Sequence, residues 1–149
     1  MRRLLLTMIF FLTAICQITA KERFIYTRIS RNEGLTSTVN CIYKEKDGDV
    51  WLGTPNGLYS FNGNSLHNHQ DSLFAGKRVY QTTADRNGDL WILTNRGPVR
   101  KHGRHFEMIR PEEDWGEGRP FLCMCEDEDG IWFGSNREIY RYSDRKSVV

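Results

Sequence analysis

The chain has 149 residues, with 21 Lys and Arg against 19 Asp and Glu. Two of the basic residues, Arg2 and Arg3, fall in a segment that we expect to be removed, which leaves the rest with a net charge of about zero. Proteins that bind nucleic acid or anionic lipid present clustered Lys and Arg, so this balance argues against both partners. The remaining length suffices for one ordinary domain with a hydrophobic core.

The first twenty residues are typical of an export signal. Arg2 and Arg3 precede an apolar run at residues 4–15, and a short polar stretch then ends at Ala20. An apolar run of about a dozen residues is shorter than the roughly 20 that a membrane-spanning helix needs. The sequence therefore predicts a signal peptide at residues 1–20 and an exported domain at residues 21–149 without a membrane span.

Three segments of that domain repeat one pattern at intervals of about 40 residues. Each copy contains a glycine preceded by Asp or Asn and, shortly after it, a tryptophan. The glycines are Gly48, Gly88 and Gly130, and the tryptophans are Trp51, Trp91 and Trp132. Asp-Gly and Asn-Gly accept the positive backbone angles of tight hairpin turns. Each copy therefore predicts an apolar strand, a turn and a second strand that begins beside the tryptophan.

Two further strands fit into each repeat. Third strands are predicted at residues 58–61, 99–101 and 139–142, and fourth strands around residues 67–69 and 105–109. Four short antiparallel strands in roughly 40 residues form a blade of a β-propeller. We therefore expect an all-β fragment of about three four-stranded blades, near residues 39–63, 79–103 and 121–143. Propellers close with four to eight blades, so the fragment should be incomplete without further repeats.

The first copy has the most distinctive sequence. The run from Glu33 to Gly63, with Gly-Leu-Thr at residues 34–36 and Trp-Leu-Gly-Thr-Pro-Asn-Gly at residues 51–57, resembles the two-component regulator propeller repeat. The resemblance is to the N-terminal periplasmic sensor region of hybrid two-component histidine kinases of Bacteroidetes. It implies a sensing module of a receptor in the inner membrane, whose kinase, receiver and DNA-binding parts are absent from this chain.

The same resemblance implies the partners. Members of the family commonly recognise glycan-derived oligosaccharides, so an oligosaccharide is the expected ligand of the complete sensor. The remaining blades and the kinase portion of the receptor are the expected protein partners, and a homodimer is one expected form of association. No cofactor is expected.

One loop departs from the repeat and has the composition of a ligand contact. Trp115 lies among glycines and charged residues, between Glu112 and Arg119. An aromatic ring can stack on the C–H groups of a sugar while acids and arginine hydrogen-bond its hydroxyls. We therefore predict that these three residues contact the ligand, the alternative being a loop tryptophan packed against its own blade. The repeat tryptophans and glycines are expected to be structural, because their shared register suits packing between blades.

Metal binding is not expected. His67 with His69, and His102 with His105, offer two ligands each, and a third ligand is not evident in the sequence. The acidic run at residues 126–130 lacks the oxygen ligands of a calcium loop at its flanks, so we interpret it as a hairpin turn.

Neither a disulfide nor a catalytic motif is predicted. Cys41 and Cys123 hold equivalent places two blades apart, so we expect both to be buried small apolar residues and not partners in a bond. The sequence contains no Gly-x-Ser-x-Gly and no His-Glu-x-x-His motif. A sensing module without enzymatic activity is thus favoured over an exported propeller enzyme acting on glycans, such as a lyase or glycosidase, and over a purely structural interaction scaffold.

Overall fold

Each described strand pairs antiparallel with a strand next to it in sequence, and this pairing forms three sheets. The computed structural model describes residues 26–46, 48–109, 121–128 and 130–143. The predicted signal peptide at residues 1–20 therefore lies outside the described residues. The described part begins with extended chain and one 3₁₀-helical turn, Arg31–Glu33. No helix within the described ranges is long and apolar enough to cross a lipid bilayer.

The first sheet contains the first repeat. Its strands, in spatial order, are β1 (Cys41–Lys44), β2 (Val50–Thr54), β3 (Gly57–Phe61) and β4 (Leu66–His69). Thr54 fixes the β2–β3 turn because its hydroxyl donates to the carbonyl oxygen of Gly57 at 2.9 Å and accepts the N–H of Asn56 at 3.1 Å. The hairpin lies where the repeat predicts it, and the third and fourth strands each begin one residue earlier than predicted.

The second sheet repeats this arrangement. Its strands, in spatial order, are β5 (Val79–Ala84), β6 (Leu90–Thr94), β7 (Gly97–His102) and β8 (His105–Met108). Thr94 shapes the β6–β7 turn as Thr54 shapes its counterpart, donating to Gly97 O at 2.7 Å and accepting from Arg96 N at 3.1 Å. The Asn-Gly pair of the β5–β6 turn places Gly88 at a φ of 84°, where glycine is the unstrained residue.

The third sheet has three strands within the described residues. They are β9 (Cys123–Asp127), β10 (Gly130–Gly134) and β11 (Ile139–Tyr142). Gly130 has a φ of 145°, and a Cβ atom there would lie 2.0 Å from the carbonyl oxygen of Tyr142. One residue separates Gly130 from Trp132, whereas two separate the glycine from the tryptophan in the other copies. The shorter turn of this copy therefore requires glycine at residue 130. Residues 144–149, which follow β11, lie outside the described residues.

The three sheets stack face to face, with their first strands side by side. The Asn40 side-chain amide donates to Val79 O at 2.8 Å and so joins the first sheet to β5. The Gln81 side chain donates to Met124 O at 2.7 Å and accepts from Met124 N at 3.0 Å, which joins β5 to β9. Stacked four-stranded sheets whose first strands are neighbours form a β-propeller fragment. The predicted all-β propeller class is confirmed.

Two hydrophobic clusters fill the spaces between the sheets. Trp51 is 3% exposed and packs with side chains of the second sheet, including Val79 and Ile92. Trp91 is 1% exposed and packs with Phe121 and Phe133. Burying a side chain of this size contributes several kcal/mol to stability. The tryptophans therefore hold each sheet against the next one.

Beside the first of these clusters, a cysteine of β1 pairs with a glycine of β2. Cys41 pairs with Gly53, and a Cβ atom at Gly53 would lie 2.6 Å from the Val79 side chain. Glycine there allows the second sheet to approach closely. In the second sheet Leu93 takes the equivalent place and is itself buried in the next cluster.

The prediction that Cys123 is buried is wrong. Cys41 is half-buried beneath the second sheet, and burial raises the pKa of its thiol. Cys123 and Cys125 are exposed free cysteines. Both lie on the side of β9 that corresponds to Cys41, and within the described residues no sheet covers that side. Residues at the same position of different repeats are equally buried only where a neighbouring sheet covers each of them.

Candidate functional site

The loop that the sequence predicts as a ligand contact lies outside the described residues. Trp115, Glu112 and Arg119 all belong to residues 110–120, which connect β8 to β9. The residues that flank this connection are described. Ile109 N donates to Pro98 O at 3.0 Å, and Leu122 N donates to Gly134 O at 2.8 Å. Both flanks therefore lie at the end of the sheets that carries the β6–β7 and β10–β11 turns.

A cleft opens at the opposite end, between the second and third sheets. It has a volume of about 420 Å³ and lies between the β5–β6 turn and the β9–β10 turn. Its lining is mostly polar at the rim and aromatic or aliphatic at the base. The lining residues are Asp85, Arg86, Asn87, Trp91, Glu126, Asp127, Glu128, Gly130, Ile131, Tyr142 and Ser143. A volume of this size has room for a small polar ligand.

Asp85 builds the first wall of this cleft. One of its carboxylate oxygens accepts the N–H groups of Asn87 at 2.9 Å and Asp89 at 3.0 Å, which closes the β5–β6 turn. The other oxygen accepts the indole N–H of Trp91 at 2.9 Å. The turn and the base of the cleft are thus fixed by a single side chain.

Asp127 builds the second wall in the same way. It accepts Gly130 N at 3.0 Å and the indole N–H of Trp132 at 2.5 Å. Glu45 has the corresponding place in the first repeat but pairs instead with Lys101 of the second sheet, with 3.0 Å between Nζ and Oε1. An acid three residues before the turn glycine therefore recurs in all three copies, and in two of them it holds the tryptophan.

Charged side chains face each other across the rim. Arg86 Nε lies 3.7 Å from Glu126 Oε1, and Arg86 Nη2 lies 3.8 Å from Glu128 Oε1. These separations exceed hydrogen-bond length, and exposed ion pairs of this kind contribute little to stability. A carboxylate has about four acceptor positions. The rim is thus rich in acceptors that a hydroxyl-bearing ligand can use.

A network of hydrogen bonds and ion pairs lies behind the cleft. Arg100 donates to Asp89 from Nε at 2.9 Å and from Nη2 at 2.6 Å, and donates to the Tyr142 hydroxyl at 3.4 Å. His102 Nδ1 lies 2.7 Å from the same carboxylate. Burial by itself raises the pKa of Asp89, but the hydrogen bonds and positive charge around it outweigh burial and hold that pKa below its ordinary value. Through Arg100 and Tyr142, these contacts join the two sheets behind the cleft.

The cleft offers hydrogen-bonding groups of both kinds. Its lining side chains can accept hydrogen bonds at Glu126 and Glu128 and donate them at Arg86 and Asn87. The lining includes neither a histidine nor a cysteine. The sequence analysis did not predict this cleft, because the two turns that form it are about 40 residues apart. The recurring acid before each turn glycine was the available signal.

The histidines that were considered as metal ligands lie elsewhere. The rings of His67 and His69 are 4.7 Å apart, and the His69 ring also contacts Trp51 at 5.1 Å between centroids. Burial, and then the neighbouring His67, hold the pKa of His69 below its ordinary value. His69 Nε2 lies 3.1 Å from Ser60 Oγ. In the part of the chain that the structure describes, three metal-binding side chains do not come together at any point.

Comparison with known proteins identifies the repeats. The sequence profile of the Two component regulator propeller family matches residues 33–56 and residues 116–137. The first match covers β1 and β2, and the second covers β9 and β10. The resemblance found in the first repeat is thereby confirmed and extends to the third. No curated protein sequence matches the chain.

Solved structures share the fold. The extracellular domain of the putative hybrid two component system BT4673 from B. thetaiotaomicron superposes with a TM-score of 0.60 at 19% identity over 72% of this chain. That of BT3049 from the same organism gives 0.53 at 24% identity over 76%. The chain spans 16% and 14% of these two domains. A virginiamycin B lyase from Staphylococcus aureus gives 0.55 at 17% identity, over 71% of this chain and 37% of the lyase.

Proposed function

Since residues 33–56 and 116–137 are two component regulator propeller repeats, we propose that this chain is part of the extracytoplasmic sensor region of a hybrid two-component receptor. In this proposal the chain lies in the periplasm, after export by the signal at residues 1–20. The parent receptor is anchored in the inner membrane and carries the kinase. The two matched repeats are the observation that carries the proposal, and the similarity in fold to two extracellular receptor domains supports it.

The proposed ligand of the complete sensor is an oligosaccharide derived from a glycan. A sugar presents many hydroxyl groups, each of which can donate a hydrogen bond to a carboxylate. The cleft supports this ligand class because Glu126 and Glu128 line it beside donors such as Asn87. The residue types around Trp115 support it independently.

The cleft and the described flanks of the Trp115 loop lie at opposite ends of the sheets. The cleft lies at the β5–β6 and β9–β10 turns, whereas the flanks of residues 110–120 lie at the other end. One short oligosaccharide is therefore expected to use one of them and not both. The composition of the Trp115 loop favours it as the principal contact, because an aromatic ring stacks on a sugar and Trp91 in the cleft is only 1% exposed.

In this proposal the module binds its ligand without converting it. Glycosidases use a pair of carboxyl groups, one on each side of the scissile bond, with one of them protonated. Among the described acids of the cleft, Asp85 and Asp127 are committed to the hydrogen bonds of their hairpins. Glu126 and Glu128 both belong to the β9–β10 hairpin and so lie on one wall of the cleft. The similarity to a lyase, at 17% identity, concerns the fold alone.

Calorimetric titration of the receptor ectodomain that contains this chain tests the proposal. The probes are defined oligosaccharides prepared from starch, xylan, pectin and mucin. Trp115→Ala tests the loop and Glu126→Gln tests the cleft. Glu107→Gln is the matched control, because Glu107 is an exposed carboxylate on β8 away from the cleft. Melting of each variant is recorded in parallel.

We expect one class of oligosaccharide to bind, and we expect Trp115→Ala to weaken that binding by about 1 kcal/mol or more without changing the melting temperature. Glu107→Gln should bind as the unmodified protein does. If Glu126→Gln alone weakens binding, the ligand occupies the cleft. If no oligosaccharide binds, or if the probes are cleaved during titration, the proposed function is wrong.

A further inference from the structure

The turn that precedes β1 repeats the connection between β4 and β5. Ser30 Oγ and Asp71 Oδ1 each accept the N–H of the residue two positions further along the chain, at 3.4 and 2.9 Å. The carbonyl oxygen of Ser30 accepts Glu33 N at 3.2 Å, and that of Asp71 accepts Phe74 N at 3.1 Å. The two turns therefore share these hydrogen bonds at the same spacing.

The chain that follows each turn leads to the same position of a sheet. Cys41 on β1 and Gln81 on β5 have the same register, since each pairs with the second residue after a repeat tryptophan. Cys41 follows Ser30 by eleven residues, and Gln81 follows Asp71 by ten. The N-terminal turn thus enters the first sheet as the β4–β5 connection enters the second.

Both connections also pack on the same side of the sheet that they enter. Phe74 of the β4–β5 connection is fully buried in the cluster that contains Val99 of the second sheet. Tyr59 has the register of Val99, since each pairs with the residue directly after a repeat tryptophan. Thr36 lies against Tyr59, with 3.4 Å between their hydroxyl oxygens. The N-terminal segment therefore covers the first sheet on the side that faces a preceding sheet.

The residues before the N-terminal turn take the position of a fourth strand. β4 ends at His69, two residues before Asp71. The residue two positions before Ser30 is Arg28. Residues 26–28 therefore correspond to the last three residues of β4.

These residues have the composition of a strand. Tyr26, Thr27 and Ile29 are of the aromatic and β-branched types that are enriched in strands. The backbone at Ser30, which follows them, is extended, with φ −134° and ψ −167°. Within the ranges that the structure describes, residues 26–29 are not paired with a strand. Their backbone groups can therefore bind the edge of another sheet.

We propose that residues 26–28 form the fourth strand of a further sheet of the same receptor, which precedes the first sheet in the ring. The first two sheets already have fourth strands of their own, β4 and β8. Because the blades of a propeller form a ring, the sheet that precedes the first one is the last, and its other three strands come from a later part of the receptor. Like the proposed function, on which it rests, this closing strand requires that the chain be part of a longer receptor.

The equivalence with β4 predicts which backbone groups bind the last sheet. Asn62 N donates to Ser65 O at 3.3 Å across the β3–β4 turn. Bonded pairs recur at every second residue of an antiparallel pair. His69 is four residues after Ser65, so its N–H bonds to β3, whereas the N–H of Asn68 points away from β3.

Hydrogen exchange of the receptor ectodomain that contains this chain, without any ligand, tests the proposed strand. The amides of residues 26–28 should exchange about as slowly as those of β4. They should exchange on the order of 100-fold more slowly than those of the exposed turn at residues 63–64, after correction for intrinsic rates. Exchange of residues 26–28 as fast as that of the turn overturns the proposal.

Two proline substitutions test the register and identify the partner sheet. Arg28 corresponds to His69, so Arg28→Pro removes an N–H that bonds to the last sheet. Thr27→Pro removes an N–H that points to solvent and is the matched control, because edge strands accept proline at such positions. Arg28→Pro should speed exchange both at residues 26–28 and in one strand from a later part of the receptor, and Thr27→Pro should change both much less.

Three outcomes of the proline experiment overturn the proposal. They are unchanged exchange in Arg28→Pro, equal effects of the two variants, and faster exchange that is confined to the first sheet. Because the experiment uses no oligosaccharide, a failure of ligand binding would contradict the proposed function and leave the closing strand unaffected.

Discussion

Replacing Trp91 and Trp51 by phenylalanine separates packing from hydrogen bonding in the repeat. The two indoles have the same register and are 1% and 3% exposed, so each substitution removes a similar buried volume. Their N–H groups differ. Trp91 donates to Asp85 at 2.9 Å, whereas the Trp51 N–H is buried with no hydrogen-bond partner among the described residues. The difference between the two losses of stability therefore measures what the hydrogen bond to Asp85 contributes.

The expected difference follows from the partner's charge. A hydrogen bond to a charged group contributes about 1.5 to 3 kcal/mol, and Asp85 is partly exposed, which favours the lower end. We predict that Trp91→Phe destabilises the chain by about 1.5 kcal/mol more than Trp51→Phe does. Urea unfolding at one fixed protein concentration, followed by circular dichroism, measures both losses. Equal losses, or a larger loss for Trp51→Phe, would refute the role assigned to Asp85.

Other predictions concern close packing and pH. Gly53→Ala should destabilise by about 1 to 3 kcal/mol through overpacking, because the new Cβ would lie 2.4 Å from the half-buried Cys41 thiol and 2.6 Å from Val79. Gly134→Ala should cost less, because its Cβ would meet the exposed thiol of Cys123 and no side chain of another sheet. The urea midpoints of the two variants check this difference. The pKa of Asp89 is lowered in the folded chain. Its ionised carboxylate therefore stabilises the fold above the unfolded pKa of about 3.9, and this stabilisation is lost as the pH falls below that value. The unfolding free energy of Asp89→Asn should lack this part of the pH dependence. The pKa of His69 is also lowered, so folding favours its neutral form. The stability of the chain should therefore fall as the pH drops below about 6.5. Between pH 7 and 5, the unfolding midpoints of His69→Gln should change less with pH than those of the unmodified chain.

The periodic part of the fold could be predicted from sequence. The spacing of the tryptophans and turn glycines gave the hairpins, because both features have a local cause: positive backbone angles at Gly88 and large buried rings at Trp51 and Trp91. The all-β propeller class followed from the number of short strands in each repeat. Local patterns of this kind are independent of what lies beyond the repeat.

Features that depend on a neighbouring sheet could not be predicted in this way. Cys123 shares the register of Cys41, yet it is exposed because the described residues provide no sheet against it. The cleft is formed by two turns that meet only after the sheets have stacked. The acid that recurs before each turn glycine therefore indicates the turns but not that they lie side by side. The Trp115 loop stays a prediction, because it lies outside the described residues.

The central claim is that this chain helps a receptor to sense an oligosaccharide. Its most direct test is the transcriptional response of cells that carry the parent receptor, with either unmodified Trp115 or Trp115→Ala, to the oligosaccharide that binds in calorimetry. The account predicts strong induction with the unmodified receptor and a clearly weaker response for the variant at the same concentration, with equal amounts of receptor in the membrane. Induction that is identical in both strains, or absent from both, would contradict it.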